Sequence, residues 1–192
     1  MSEHRGHEVP RSEANPAMSA RAKSQVEMSV RRLAGHGLSV GLLPQWEARI
    51  YRRTVGEQVR PAQPYGTGWP GEQSHPILHL ANFPLPAARG DYGTGAVERM
   101  GPQHIFLALL EFGPDCLGTA LYAPAGLPRL TPGQFNPNGM QRRVAGLAGC
   151  QSFFTEANRP FCLYAVIGSH RQAVPLTKQA NEILQRIEVN RA

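Results

Sequence analysis

Lysine and aspartate are nearly missing from this chain. Lysine occurs only at Lys23 and Lys178, and aspartate only at Asp91 and Asp115; arginine supplies the rest of the 20 basic residues. So few aspartates leave little material for a Ser–His–Asp triad, and no serine stands in a G-x-S-x-G elbow. Cysteine is scarce too. Cys116, Cys150 and Cys162 are an odd number without C-x-x-C spacing. Cys150 and Cys162 flank a hairpin and can come close, but three such residues read better as small buried hydrophobes in a reducing compartment. No apolar run reaches the roughly 18 residues a membrane span needs. Met1 to His7 is polar, without the apolar stretch of a secretory signal, so a cytoplasmic location is expected. The seven histidines are dispersed, with no H-E-x-x-H and no Cys/His cluster; His4 and His7 would hold metal only adventitiously. Neither a metal nor a cofactor is expected.

What is present describes a loop-rich globular domain. The chain has 192 residues, with 20 glycines, 17 prolines and 41% hydrophobic residues. That suffices for one domain of roughly 150 residues and a tail. The formal charge is +6, which suits an anionic partner without requiring one. The arginine excess follows from a GC-rich genome as readily as from recognition.

Residues 1–36 read as a flexible tail, polar and aperiodic at first. Ser24-Gln-Val-Glu27 has capping-box spacing and can start a short helix ending at Gly35, with Val26, Val30 and Leu33 on one face. A single domain is expected over 37–192. Strands are read over 38–43, 46–53, 77–83, 105–112, 151–156 and 161–168. In the second, Trp46, Ala48 and Ile50 alternate with Glu47, Arg49 and Tyr51. The run 161–168 is apolar throughout, as in a central strand covered on both faces. The stretches 54–73 and 84–101 read as loops, the latter with a helical turn at 96–100. Pro175 suits the first turn of a last helix, whose apolar stripe is Leu176, Ala180, Ile183, Leu184 and Ile187. The connection 113–149 is too long to lack structure. Thr131-Pro-Gly-Gln134 and Asn136-Pro137 both read as helix starts, so short helices should cross the sheet or its edge. The expectation is an α+β fold: an antiparallel or mixed sheet of about six strands, with a C-terminal helix and short helices packed on it.

Gly37-Leu-Ser-Val40, then Pro44-x-Trp46, then a closing hairpin and helix ending in Ile187-Glu-Val189, resembles the PsbP-like α/β sandwiches and a group of uncharacterised bacterial proteins sharing that layout. The resemblance spans roughly 37–189. It departs at Gln45, where a glycine commonly precedes the tryptophan. It implies a binding or assembly scaffold without catalytic residues, and it transfers no site.

Three functional arrangements compete. The first is a protein-binding interface in 113–149, the longest connection, with Arg129, Phe135, Met140, Arg142 and Arg143 as candidates. The second is a nucleic-acid or anionic-surface binder. It would use the doublets Arg31-Arg32, Arg52-Arg53 and Arg142-Arg143 with Trp46, Tyr51 and Phe135 as stacking platforms. The third is a small hydrolase-type enzyme. His79 and Glu111 lie in apolar strands and would meet if those strands were neighbours, with Cys150 as a thiol close by. The plainer alternative makes His79 a hydrogen-bonded core residue and Glu111 the partner of an arginine. Gly90-Asp-Tyr-Gly-Thr-Gly95 lacks the third glycine of a dinucleotide fingerprint, since Glu98 stands there, and reads as a loop.

Overall fold

Two-residue turns set the pairing of the first and last hairpins. The computed structural model describes residues 31–52, 75–140 and 142–191. In chain order these form β1 (Arg32–Gly35), β2 (Leu38–Gly41), β3 (Glu47–Arg52), β4 (Pro76–Ala81), β5 (Ile105–Glu111), β6 (Ala148–Glu156), β7 (Arg159–Ile167), α1 (Ala173–Leu184) and β8 (Ile187–Val189). His36-Gly37 joins β1 to β2 with φ of 53° and 73°, and Ala157-Asn158 joins β6 to β7 with φ of 51° and 61°. Positive φ at both central positions is the turn whose twist matches that of the flanking strands.

The strands build two antiparallel sheets, ordered β1-β2-β8 and β3-β4-β5-β7-β6. This corrects the expected single sheet of about six strands: eight strands are present among the described residues. The stretch read as the end of a short helix, Arg32–Gly35, is β1. Ile187 was assigned to the last helix by its spacing from Ile183, but α1 stops at Leu184 and Ile187 opens β8. The Ser24–Glu27 capping box, the rest of residues 1–30, Arg53 and the loop over 54–73 lie outside the described residues.

Every residue of β7 is buried, which follows from its place between β5 and β6. The five-stranded sheet is covered on both faces. On the first face Leu78, Leu107, Leu163 and Phe154 pack under α1, through Leu176, Ala180 and Ile183, and under the small sheet, through Leu38, Val40 and Ile187. On the second face Ile77, Phe106, Tyr164 and Val166 pack against Phe83, Leu85, Ala96 and Val97. Burying the four stripe residues of α1 contributes on the order of 6–10 kcal/mol.

The long connection from β5 to β6 has a topological cause. β7 inserts between the two strands, so the chain must pass to the far edge before returning. It does so through short 3-10 turns, Pro114–Cys116, Ala120–Tyr122 and Pro132–Gln134, the last closed by the Thr131/Gln134 capping box. No helix starts at Asn136. Its backbone instead exchanges both hydrogen bonds with Gly149 of β6, each 3.0 Å, and its side chain accepts from the Asn138 N–H.

Candidate functional site

The segment 124–147 wraps the free edge of β6 like a strap. At one end Thr155 donates its N–H to the Pro124 carbonyl at 2.8 Å, and Gly126 donates to Thr155 at 2.9 Å. At the other end lies the Asn136–Gly149 pair. The two backbones approach so closely there that a Cβ at Gly149 would lie 2.8 Å from Met140 Cγ, and one at Gly139 would lie 2.5 Å from the Gly149 carbonyl oxygen. Glycine is needed at both positions. Leu130 and Phe135 join the core on the α1 face, whereas Met140 and Val144 pack on the opposite face. Asn181 of α1 pins the first part, donating to the Leu130 carbonyl and accepting from its N–H, both at 2.9 Å.

This divides the five interface candidates. Phe135 is 3% exposed and belongs to the core. Met140 is half-buried over Gly149. Arg129, Arg142 and Arg143 are exposed, but Arg129 adjoins Leu130 on the α1 face while Arg142 and Arg143 lie between Met140 and Val144 on the other. The candidates form two surfaces, joined by a strap that is itself anchored.

The three enzyme candidates do not converge. β4 and β5 are neighbours, as the acid–base pairing required, but His79 stands opposite Ala108. Glu111 is three residues further along β5, so the pleat turns it to the other face. Cys150 shares the face of Glu111, and its thiol is pushed up to about 12 by desolvation. Glu111 is instead held by Arg159. The guanidinium donates through Nε to Glu111 Oε1 at 2.9 Å and through Nη2 to Oε2 at 2.5 Å. It also donates to the carbonyls of His36, Gly37 and Asn190, at 3.1, 3.0 and 3.1 Å. Arg159 is 4% exposed. It ties the β6–β7 turn to the β1–β2 turn and to the chain beyond β8. An open groove of about 670 Å³ lies beside this junction, lined by Thr155, Glu156, Asn158 and Arg191 among others, with none of the three enzyme candidates at its wall.

His79 is fully buried between Tyr51 and Phe106, with ring centroids 5.3 and 5.1 Å away. Its Nε2 donates to the Asp91 carbonyl at 2.7 Å, and its Nδ1 accepts from Arg89 Nε at 2.8 Å. That pattern assigns the neutral imidazole with the proton on Nε2. Desolvation lowers its pKa to about 4 against the opposing Asp91 hydrogen bond, and the Arg89 cation lowers it further. Tyr51 donates to Asp91 Oδ1 at 3.3 Å, and the Arg89 guanidinium carbon lies 5.4 Å from the Tyr51 ring centroid. The alternation of Arg49 and Tyr51 along their strand, and the loop composition around Arg89-Gly90-Asp91, do not by themselves announce this group. The available signal was that His79 shares an apolar strand with no other polar side chain.

The nucleic-acid arrangement loses two of its three platforms, because Trp46 and Phe135 are 5% and 3% exposed, while Tyr51 is half-buried. Its first doublet is also occupied. Arg31 donates to the Trp46 carbonyl at 3.2 Å, and Arg32 pairs with Glu188. Among the described residues no three His, Cys, Asp or Glu side chains gather to hold a metal, and no helix is long and apolar enough to cross a membrane. No family model matches the chain, no curated protein matches it, and no solved structure matches it.

Proposed function

We propose that this protein is a non-enzymatic binding or assembly module that takes a protein partner on the strap over the β6 edge. The observation that carries this is the setting of Arg142 and Arg143. Both are exposed, and they lie three and four positions after Gly139 of the Gly139–Gly149 clamp, where Met140 is packed down. A loop fixed at its base presents its side chains at a low entropic cost, and arginine brings forked donors suited to carboxylates. The partner is therefore a protein surface rich in Asp or Glu, in keeping with the +6 charge of the chain. Two further features support a binding role over catalysis. His79 is neutral with both ring nitrogens occupied, and Glu111 is committed to Arg159. The test is capture of partners from the native host, identified by mass spectrometry and then titrated individually. Arg142→Ala with Arg143→Ala should weaken the specific partner at least tenfold, about 1.4 kcal/mol, with urea stability unchanged. Equal affinity of wild type and double variant for every captured protein would refute the assignment.

A further inference from the structure

Opposite the strap, at the β3 end of the large sheet, lies an arginine whose charge no carboxylate among the described residues neutralises. Arg89 is half-buried. Its Nε donates to neutral His79, and its Nη1 donates to the carbonyls of Pro86 and Ala87 at 2.9 and 3.4 Å. The Tyr51 ring covers one side. No carboxylate among the described residues pairs with it, and its Nη2 makes no hydrogen bond there. A guanidinium fixed at Nε and Nη1 by neutral acceptors is preorganised, with Nη2 left for a ligand. A second cation stands beside it. Arg49 is the direct cross-strand partner of His79, so its side chain rises from the same face, about 5 Å away at Cβ. Arg49 is exposed, and among the described residues it bonds only locally, to the Ala48 carbonyl at 2.9 Å and weakly to Glu47 at 3.9 Å.

We propose that Arg89 and Arg49, both organised around His79, form a binding site for a small oxyanion, a carboxylate or phosphate group. Of the nearby acids, Glu47 accepts from the Leu85 N–H at 3.1 Å and reaches Arg49 only at 3.9 Å, and Asp91 accepts from Tyr51. Arg89 is destabilised as a cation by desolvation first, and Arg49 adds to this by repulsion, against the attraction of Tyr51. A bound anion relieves both. His79 acts here as a positioning residue. Its lone pair on Nδ1 accepts from Nε and fixes the guanidinium, leaving Nη2 for a ligand. The site shares no residue with the strap and stands or falls independently of the protein-binding assignment.

The experiment is titration of the full chain at low ionic strength with inorganic phosphate and, separately, with malonate, followed by amide chemical shifts. Sodium chloride at matched ionic strength is the control. Saturable binding of either anion is expected, with the largest shifts at Arg49, Tyr51 and Arg89 to Asp91. Saturation by phosphate alone assigns the group as a phosphate, and by malonate as a carboxylate. Arg89→Lys keeps the charge but loses the Nε and Nη1 anchors that hold Nη2 in place, and should weaken binding about tenfold. Arg49→Ala, at an exposed position, should weaken it several-fold while leaving the spectrum folded, so the test survives if the Arg89 variant unfolds. The proposal is overturned if neither anion saturates, if chloride reproduces the shifts, or if Arg49→Ala binds as wild type does.

Discussion

Replacing Arg159 with methionine should be among the most damaging single substitutions in this fold. Methionine keeps most of the stem and its packing on Phe161, whose ring centroid lies 5.3 Å from the guanidinium carbon. What it removes is the head group. Glu111, with a side chain 10% exposed against 5% for Arg159, is then a buried carboxylate without its cation. Removing one partner of a buried pair costs about 3–5 kcal/mol. The carbonyls of His36, Gly37 and Asn190 lose a charged donor as well, at about 1 kcal/mol each where water does not replace it. A loss of about 3–8 kcal/mol, rising with the number of carbonyls that water does not reach, is a large share of the about 5–15 kcal/mol that holds a domain together. Urea unfolding followed by circular dichroism measures it directly.

The same variant separates two explanations. If Arg159 acts as a latch between the sheets, amides of β1, β2 and β8 should exchange faster than those of β5 and β7. Adding Glu111→Leu should recover about 2 kcal/mol or more, because an apolar pair in place of a buried ion pair is often neutral. A loss below about 1 kcal/mol in Arg159→Met, or a double variant no better than the single, would show that the pair contributes little and that apolar contacts alone join the sheets.

Three other outcomes are expected. The folded-state pKa of His79 is depressed from 6.5 to about 4, so the unfolded chain takes the proton first; its contribution is present above pH 6.5 and is lost as pH falls towards 4. That is about 3 kcal/mol of stability, and a denaturation series in which His79→Gln has the same pH slope as wild type would contradict it. Burial pushes the thiols of Cys150 and Cys162 up to about 12, while Cys116 is partly exposed; a thiol reagent should find Cys116 first in native protein and the other two only on unfolding, and fast native labelling of Cys150 would revive the enzyme assignment. Asn181→Ala removes both hydrogen bonds to Leu130, so it should cost about 2 kcal/mol and speed amide exchange at Leu130; unchanged exchange would mean that Leu130 and Phe135 hold the strap by packing alone.

Much of the fold could be read because local chemistry and tertiary structure agree. The all-apolar run of β7 announced a central strand, and the Thr131/Gln134 capping box formed as its spacing suggested. The failures come where pairing partners decide. Ile187 lies four residues after Ile183, which is helical spacing, yet Gln185 and Arg186 close α1 by bonding back to Asn181 and Ile183. The next three residues then find β2, with Val40 opposite Ile187 and Leu38 opposite Val189. No periodicity within four residues can reveal a strand whose partner lies some 150 positions away in sequence. β1 was hidden in the same way, because Arg32–Gly35 is a strand only through its pairing with Leu38–Gly41.

For the candidate sites, the decisive quantity was register. His79 and Glu111 do lie on adjacent strands, but the connection between β4 and β5 is a long loop, which leaves the offset free. Register puts Ala108 opposite His79, and the odd separation from 108 to 111 sends the two side chains to opposite faces. One carboxylate therefore sits with the small sheet and one imidazole with the loops of the other face, and a single odd offset turns a supposed acid–base pair into two separate structural centres. Arg159 was overlooked for a related reason. In Ala157-Asn-Arg-Pro160 it looks like the exposed end of a turn. The useful sign was its position next to an uninterrupted apolar strand, matched by Glu111 at the end of another. A charge at the rim of a strand covered on both faces cannot leave the layer without exposing that strand, so it needs an opposite charge at the rim of a neighbour. Two such rims side by side, β5 and β7, imply the pair before any coordinate is known. His79, the polar interruption in β4, is by the related rule for buried polar groups a place where hydrogen-bond partners must arrive, here Arg89 and the Asp91 carbonyl.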